Sequence, residues 1–517
     1  MLREKYLTNW CMMVVILMVL AANATAQIYV DAAATGANDG SSWDDAYIDL
    51  QDALDVALAG DEIWVAASIY KPTKLEFADY PRSATFQLIS GVALLGGFGG
   101  ETILSGDIGI SGDNSDNCYH VVTGSFTDVS AVIEGFTIEG GCADGPWDID
   151  GIDPPERYDQ GGGMFNFLGG PTVNHCIFQG NYALLHGGAV ENRGANSSPK
   201  FNHCTFNTNS AVQYGGGMYN APGSSTEFSN CVFNGNSAGL HGGGMNTNQG
   251  NTEVSNCEFN GNFAEQAGGG MVIDRSIAVL TNCKFHDNTA QNLNGGGLVV
   301  WECDPELTDC KFHGNFALYG GGFAAGYLCD AKLSNCEFNG NTAMLGGGVI
   351  AYMSNPELID CKINDNTASV CGGGMNIFFS SSPILTGCKI NDNSAPAGAG
   401  MFNDIGCNPE LTDCEFNGNL AENEGGGMYN DGGAILTDCI LQGNHSGDLG
   451  GGMANGSSST VILEHCLLWG NTAVNATGEF AQISDNGFPV INNSCIQGWT
   501  GYFGGANNTG KKSEYIK

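Results

Sequence analysis

Between Val173 and Asn471 the chain repeats one pattern of apolar and polar positions twelve times: an apolar residue, Cys three positions on, an apolar residue two further, and Asn three beyond that. The marker cysteines are Cys176, Cys204, Cys231, Cys257, Cys283, Cys310, Cys336, Cys361, Cys388, Cys414, Cys439 and Cys466, spaced 25–28 residues apart, with Cys495 as a degenerate thirteenth. The residue three before each Cys is always apolar, from Val173 to Leu463, and the residue five after is always Asn, as at Asn236, Asn262, Asn288 and Asn315. Self-similarity at such a period is the signature of a solenoid.

The second half of the repeat decides which solenoid. Leucine-rich repeats share the strand-and-turn half but return along a helix or a 3₁₀ segment. Here the return begins Gly215-Gly216-Gly217-Met218 or Gly242-Gly243-Gly244-Met245, and each interior glycine costs a helix about 1 kcal/mol. The segment after the glycines is short, apolar and bounded by Gly, Ser, Asn and Pro, as in Val299-Val300-Trp301 and Val349-Ile350-Ala351-Tyr352, and reads as another strand. The pattern predicts an all-β parallel β-helix with about twelve regular rungs, stacked at ~4.8 Å.

Stacking turns each repeated position into a column. The Cys and the Phe two residues on point inward, and the asparagines are spaced to hydrogen-bond their amides from rung to rung. Glycines allow a corner where a Cβ would collide. Between Cys and Phe lies an outward column, Glu258, Lys284, Lys311, Glu337, Lys362, Lys389 and Glu415, whose mixed charges read as a solvated face.

The ends differ. Residues 1–26 read as a signal peptide, with basic Arg3 and Lys5, an apolar run and the small residues Ala24-Thr25-Ala26 before Gln27. Residues 27–130 form a cap and irregular first rungs: an amphipathic helix over 47–58 closing the open edge, then strands over 62–66, 86–95, 119–122 and 131–138. Residues 131–495 carry the regular rungs and 496–517 a tail. No later segment is long and apolar enough to span a membrane.

A net charge of −38 makes nucleic acid an unsuitable partner. Twenty cysteines in an exported chain would normally suggest a disulfide framework. Inward, in-register cysteines behave instead as small buried apolar groups with poor bridging geometry, so the ladder is expected as thiols. Cys303 with Cys329, on adjacent rungs, and Cys118 with Cys142, in the irregular part, are the disulfide candidates. No cofactor is expected beyond a structural Ca²⁺, for which the Asp/Asn-rich loop at 105–117 offers oxygen ligands.

Chemistry is sparse. After the signal the arginines are Arg82, Arg157, Arg193 and Arg275, and their sequence neighbourhoods place none in an acidic cluster beside a second basic residue. Stacking places any same-column carboxylates, such as Asp413 and Asp438, one rung apart, so that pair indicates nothing by itself. His186 and His241 read as corner residues. No catalytic, cofactor-binding or metal residue is assigned.

The motifs carry a resemblance. Phe178-Gln179-Gly180-Asn181 followed by Gly187-Gly188-Ala189-Val190 resembles the Phe-x-x-Asn and Gly-Gly-Ala-[Ile/Leu/Val] motifs of chlamydial polymorphic outer membrane proteins. Seven more copies keep a literal Phe-x-x-Asn, while most have Gly where that family has Ala. Ile28-Tyr29-Val30-Asp31, Leu104-Ser105-Gly106-Asp107 and Trp469-Gly470-Asn471-Thr472 are similar to the ends of exported right-handed β-helix proteins with a pectin-lyase-like fold. The resemblance implies a right-handed solenoid that is secreted or held at the outer-membrane surface, acting as a monomeric adhesin toward a host or neighbouring-cell surface through a glycan or protein ligand. The chlamydial proteins end in an autotransporter barrel, whereas only 46 residues follow Asn471; attachment is therefore expected to differ, or the chain to be truncated. A polysaccharide lyase or glycoside hydrolase on the same fold is the alternative.

Overall fold

The computed structural model describes residues 26–146, 157–195, 197–486 and 489–512. They coil into a parallel β-solenoid of about sixteen turns, with four parallel sheets of 17, 16, 13 and 15 strands running along its length. One turn shows the plan: Lys200–Asn202 lies in the first sheet, Thr205–Asn207 in the second, Ser210–Ala211 in the third and Met218–Asn220 in the fourth. Each pairs in register with its counterpart one turn on, Phe201 with Phe228 and Met218 with Met245.

The predicted columns are present. Phe178, Phe206, Phe233, Phe259, Phe285, Phe312 and Phe338 stack with ring centroids 4.5–5.1 Å apart, each burying a side chain that contributes about 1.5–3 kcal/mol. The asparagines form a continuous buried chain. Asn236 Nδ2 donates to Asn262 Oδ1 (3.0 Å) and to the Phe206 carbonyl (2.8 Å), and its backbone N–H reaches the same Asn262 Oδ1 (3.0 Å). Asn262, Asn288 and Asn315 repeat the arrangement. The Gly141 N–H closes one end of the chain on Asn181, and Gln482 closes the other by accepting from Asn471.

Three corners of each turn need a left-handed residue. The residue before each ladder Cys has φ near +50°, at His203, Asn230, Asn256, Asn282 and Asp309 among others, and Asp413 and Asp438 are two of these corner residues. Asn, Asp and His tolerate this conformation better than other side chains. The second corner falls between Phe and Asn and is almost always Gly or Asp, with Thr208 an exception. The third is the first glycine of each triplet. The other two glycines are needed for space: a Cβ on Gly270 would lie 2.5 Å from the Gly297 carbonyl oxygen of the next turn.

Sixteen turns exceed the twelve regular ones predicted because the irregular first rungs expected over 27–130 enter the same sheets and residues 132–139 and 490–496 each add a further turn. The expected strand over 86–95 divides into Phe86–Gln87, in the fourth sheet, and Ala93–Phe98, in the first, around Gly91 at φ +82°. That over 131–138 divides at Gly135, φ +80°, into Val132–Glu134 and Phe136–Glu139, and 119–122 contributes Val122–Thr123. The capping helix is shorter than the 47–58 expected. It spans Leu50–Val56, capped by Asp49, because Tyr47 pairs with Val30 as an isolated bridge and Ala57 is extended. Its Leu50, Ala53 and Leu54 are buried in the common core.

Beyond 495 the tail folds back over the last turn, with Trp499 and Phe503 against the core and the Ile496 N–H donating to the Thr509 carbonyl. The segment expected as a signal peptide lies outside the described residues, apart from Ala26. Among the described residues no helix is long and apolar enough to cross a membrane.

Candidate functional site

The ladder cysteines Cys231, Cys257, Cys283 and Cys310 are buried thiols. Cys283 Sγ donates to the Val254 carbonyl one turn back at 3.3 Å, and at the amino-terminal end of the ladder burial pushes Cys176 up to about 12, which keeps that thiol protonated and unreactive. Cys118, Cys142, Cys303 and Cys329 are thiols and not disulfides. The candidate disulfide partners are nonetheless neighbours: Cys329 Sγ donates to the Cys303 carbonyl, and the Cys142 N–H to the Cys118 carbonyl. These columns, with the asparagines, form the scaffold.

The outward columns carry the variety. In the Glu258–Glu415 column, Lys311 lies 3.8 Å from Glu337 and Lys389 3.6 Å from Glu415, all exposed or nearly so, as expected of a solvated face. The loop at 105–117 directs its carboxylates to its own backbone, Asp107 to Gly112 N and Asp116 to Ile110 N. Among the described residues no three His, Cys, Asp or Glu side chains are grouped so that they could hold a metal ion.

The fourth sheet differs. Its strands begin with an inward Met, Leu, Val or Phe, and their second and fourth residues face outward, making a floor edged by the corner column that contains His186, Tyr214 and His241. Imidazoles and phenols stack along this edge: His186 on Tyr219 (4.5 Å), Tyr214 on His241 (5.4 Å), and His241 edge-on to Trp301 (5.3 Å). The expectation of His186 and His241 as corner residues with a rung between them holds.

At its amino-terminal end the floor holds a buried carboxyl group. Glu191 is fully buried with neither carboxylate oxygen hydrogen-bonded, 3.9 Å from Arg193 Nη1, which itself donates to Gln160 Oε1 at 2.6 Å. Desolvation raises Glu191 to about 8, with the Arg193 and Arg157 charges opposing the rise and Asp159 adding to it. Burial likewise holds His186 and His120 down to about 4. The expectation that no arginine shares an acidic cluster with another basic residue is overturned here. Arg157 pairs with Asp159 (3.3 Å), and both act on Glu191 with Arg193, because register brings residues 157–160 and 191–193 onto adjacent turns. Of the stretch 142–159 that precedes this cluster, residues 147–156 lie outside the described residues.

Towards the middle the floor becomes apolar. Val272, Val299, Ala324 and Ile350 form a second buried cluster outside the solenoid core, with Trp301, Tyr319, Leu345 and Phe378 packed on it. Above it opens a cavity of about 320 Å³, edged by Leu293, Tyr319, Tyr327, Tyr352, Phe378 and Phe379. Tyr352 lies 5.2 Å from Tyr327, 4.9 Å from Phe378 and 5.0 Å from Phe379. The turn that bounds this face also needs φ near +50°, yet over six successive rungs it uses Gln249, Arg275, Glu302, Tyr327, Met353 and Phe379. Such residues carry strain of about 1 kcal/mol or more in that region, whereas the scaffold corners relieve it with Gly, Asn or Asp. Strained, half-exposed Tyr327 and Phe379 both line the cavity, which marks this rim as a place where side-chain identity outweighs local stability.

In the sequence, Val299–Trp301 and Val349–Tyr352 read only as strands. Their apolar residues at both inward and outward positions were the signal for this face.

A family model described as "Right handed beta helix region" matches residues 169–327, 243–404 and 296–468. A search of curated proteins finds no match. Among solved structures the chain is similar to pectate lyase Pel9A (11% identity, 72% of this chain and 76% of that one, TM-score 0.31). It is similar also to XylC in complex with xylose (8%, 94% and 86%, 0.28), and to the A-module of Azotobacter vinelandii mannuronan C-5 epimerase AlgE6 (11%, 85% and 93%, 0.24). Likenesses at these scores bear on no activity. The family matches overlap into one span covering more than half of the chain, whose repeats, register and four parallel sheets accord with it: the chain belongs to the right-handed β-helix family.

Proposed function

We propose that this is an exported, surface-associated binding module that holds a glycan or protein ligand on the outer face of its fourth sheet without transforming it. The observation that carries this reading is the aromatic cavity of about 320 Å³, which falls in the size range of ligand sites and is lined mainly by apolar and aromatic groups. The Phe-x-x-Asn and Gly-Gly-Ala likeness to chlamydial surface proteins and the basic-apolar amino terminus support export and display. Fold alone does not choose among functions.

A glycan-active enzyme is the second reading, and one observation favours it: Glu191, raised to about 8 beside Arg193, Arg157 and Asp159. A general acid must come within hydrogen-bond reach of its substrate, and Glu191 is fully covered, so binding without turnover is the better-supported function. The test is incubation of the purified chain with acidic and neutral polysaccharides, with and without Ca²⁺. Retention on a polymer is expected, with no new reducing ends and no ultraviolet-absorbing unsaturated product. Turnover that is lost in Glu191→Gln would replace this reading with the enzymatic one.

A further inference from the structure

We infer that the cavity of the fourth sheet is a stacking site for uncharged pyranose residues of an extended glycan lying parallel to the solenoid axis; this deepens the binding reading above and rests on it.

The site is built by an omission. In the strand Phe323–Gly326 both outward residues are minimal, Ala324 and Gly326, while the adjacent turns present Val299 with Trp301 and Ile350 with Tyr352. Side chains on successive turns lie ~4.8 Å apart, so a turn without outward side chains leaves a gap one layer thick between its neighbours. Trp301 leans over the glycine, where a Cβ would meet its Cδ1 at 3.3 Å, and a larger residue at 326 would displace that wall. A flat, ring-shaped group fits the vacated layer better than a bulky one does.

Ring spacing and charge narrow the occupant. Tyr327, Tyr352 and Phe378 succeed one another along the axis with ring centroids 5.2 and 4.9 Å apart and planes turned by 71° and 60°; a pyranose residue in an extended chain advances by about one such step, so a polymer along the axis meets an aromatic face or edge at each residue, not a continuous coplanar platform. None of the residues lining the cavity is charged, on a chain of net charge −38. A polyuronate would meet acidic surroundings with no cation to receive it. The tyrosine hydroxyls and the Asn294 amide give the rim donors and acceptors for sugar hydroxyls, whereas an acyl chain would leave them unpaired.

The test uses the full chain and calorimetric titration with hexasaccharides of β-1,4-linked glucose, mannose and N-acetylglucosamine, a galacturonate hexamer, and laurate. At least one neutral hexasaccharide should bind, the galacturonate hexamer and laurate should not, and Tyr352→Ala should weaken binding about tenfold or more, equivalent to ~1.4 kcal/mol. Tyr352→Phe should stay within about threefold of the unmodified chain (~0.7 kcal/mol). Ala324→Leu, which fills the gap without removing an aromatic ring, should abolish binding while keeping the β-rich circular dichroism of the folded rod, at a somewhat lower unfolding midpoint because Ala324 belongs to the buried cluster of the floor. The inference falls if no neutral hexasaccharide binds, if the charged hexamer or laurate binds more tightly, or if Ala324→Leu binds normally. Should polymer retention persist in any of those cases, the broader binding reading survives alone; loss of all retention removes both.

Discussion

The interior of this solenoid and the outer face of its fourth sheet obey opposite rules. Inside, one residue type repeats turn after turn: asparagine amides bonded at 2.9–3.0 Å, phenylalanine on phenylalanine, thiols against carbonyls. Outside, the equivalent position reads Glu191, Tyr219, Asn246, Val272, Val299, Ala324, Ile350 over seven consecutive turns. A stacked position shared with identical neighbours is constrained by them, since a lone substitution leaves partners on both sides unsatisfied. A position whose residue type changes along most of the column is free of that constraint. Where such variation is also apolar and strained, as at Tyr327 and Phe379, it has a use other than holding the rod together.

The contrast can be broken from the inside most violently. Asn288→Ala removes the acceptor for both the backbone N–H and the side-chain amide of Asn262 and takes the amide donor from the Phe259 carbonyl, all within the core, while Asn315 Oδ1 keeps only the backbone N–H of residue 288. Leaving several buried groups unpaired should cost ~3–5 kcal/mol. Chemical denaturation followed by circular dichroism measures it, and a loss below ~1 kcal/mol would mean that the ladder is dispensable.

Glu191→Gln tests the polar end of the outer face and should act in the other direction. The folded-state pKa of Glu191 is raised from 4.5 to about 8, so its contribution to stability is fully present below pH ~4.5 and lost as pH rises towards 8, where only the unfolded chain ionises freely. The variant should match the unmodified protein near pH 4 and exceed it by roughly 2–4 kcal/mol at pH 9. Destabilisation at every pH would show instead an ionised Glu191 held by Arg193.

Legibility in the sequence divides along the same line. Columns repeat, so the ladders of Cys231, Asn236 and their successors, the glycine corner and the fold could be read from one chain. The irregular rungs before the first ladder Cys were undercounted because single strands there run through corners, as at Gly91 and Gly135. The meeting of Arg157 and Asp159 with Glu191 and Arg193 is a product of register, which spacing within one turn does not reveal. The groove was hidden for a related reason: Trp301, Tyr327 and Tyr352 repeat nothing in residue type, and only the register places them on one face.

The most direct test of the claim that recognition resides on this face is hydroxyl-radical footprinting of the chain saturated with a polysaccharide that retains it. Tyr327 and Phe379, 48% and 57% exposed, line the cavity, whereas Tyr502, 71% exposed, lies at the carboxy-terminal end and Phe316, 43% exposed, in the third sheet. Oxidation of Tyr327 and Phe379 should fall on binding while that of Tyr502 and Phe316 stays constant. Protection of Tyr502 or Phe316 with Tyr327 and Phe379 still freely oxidised would contradict the account.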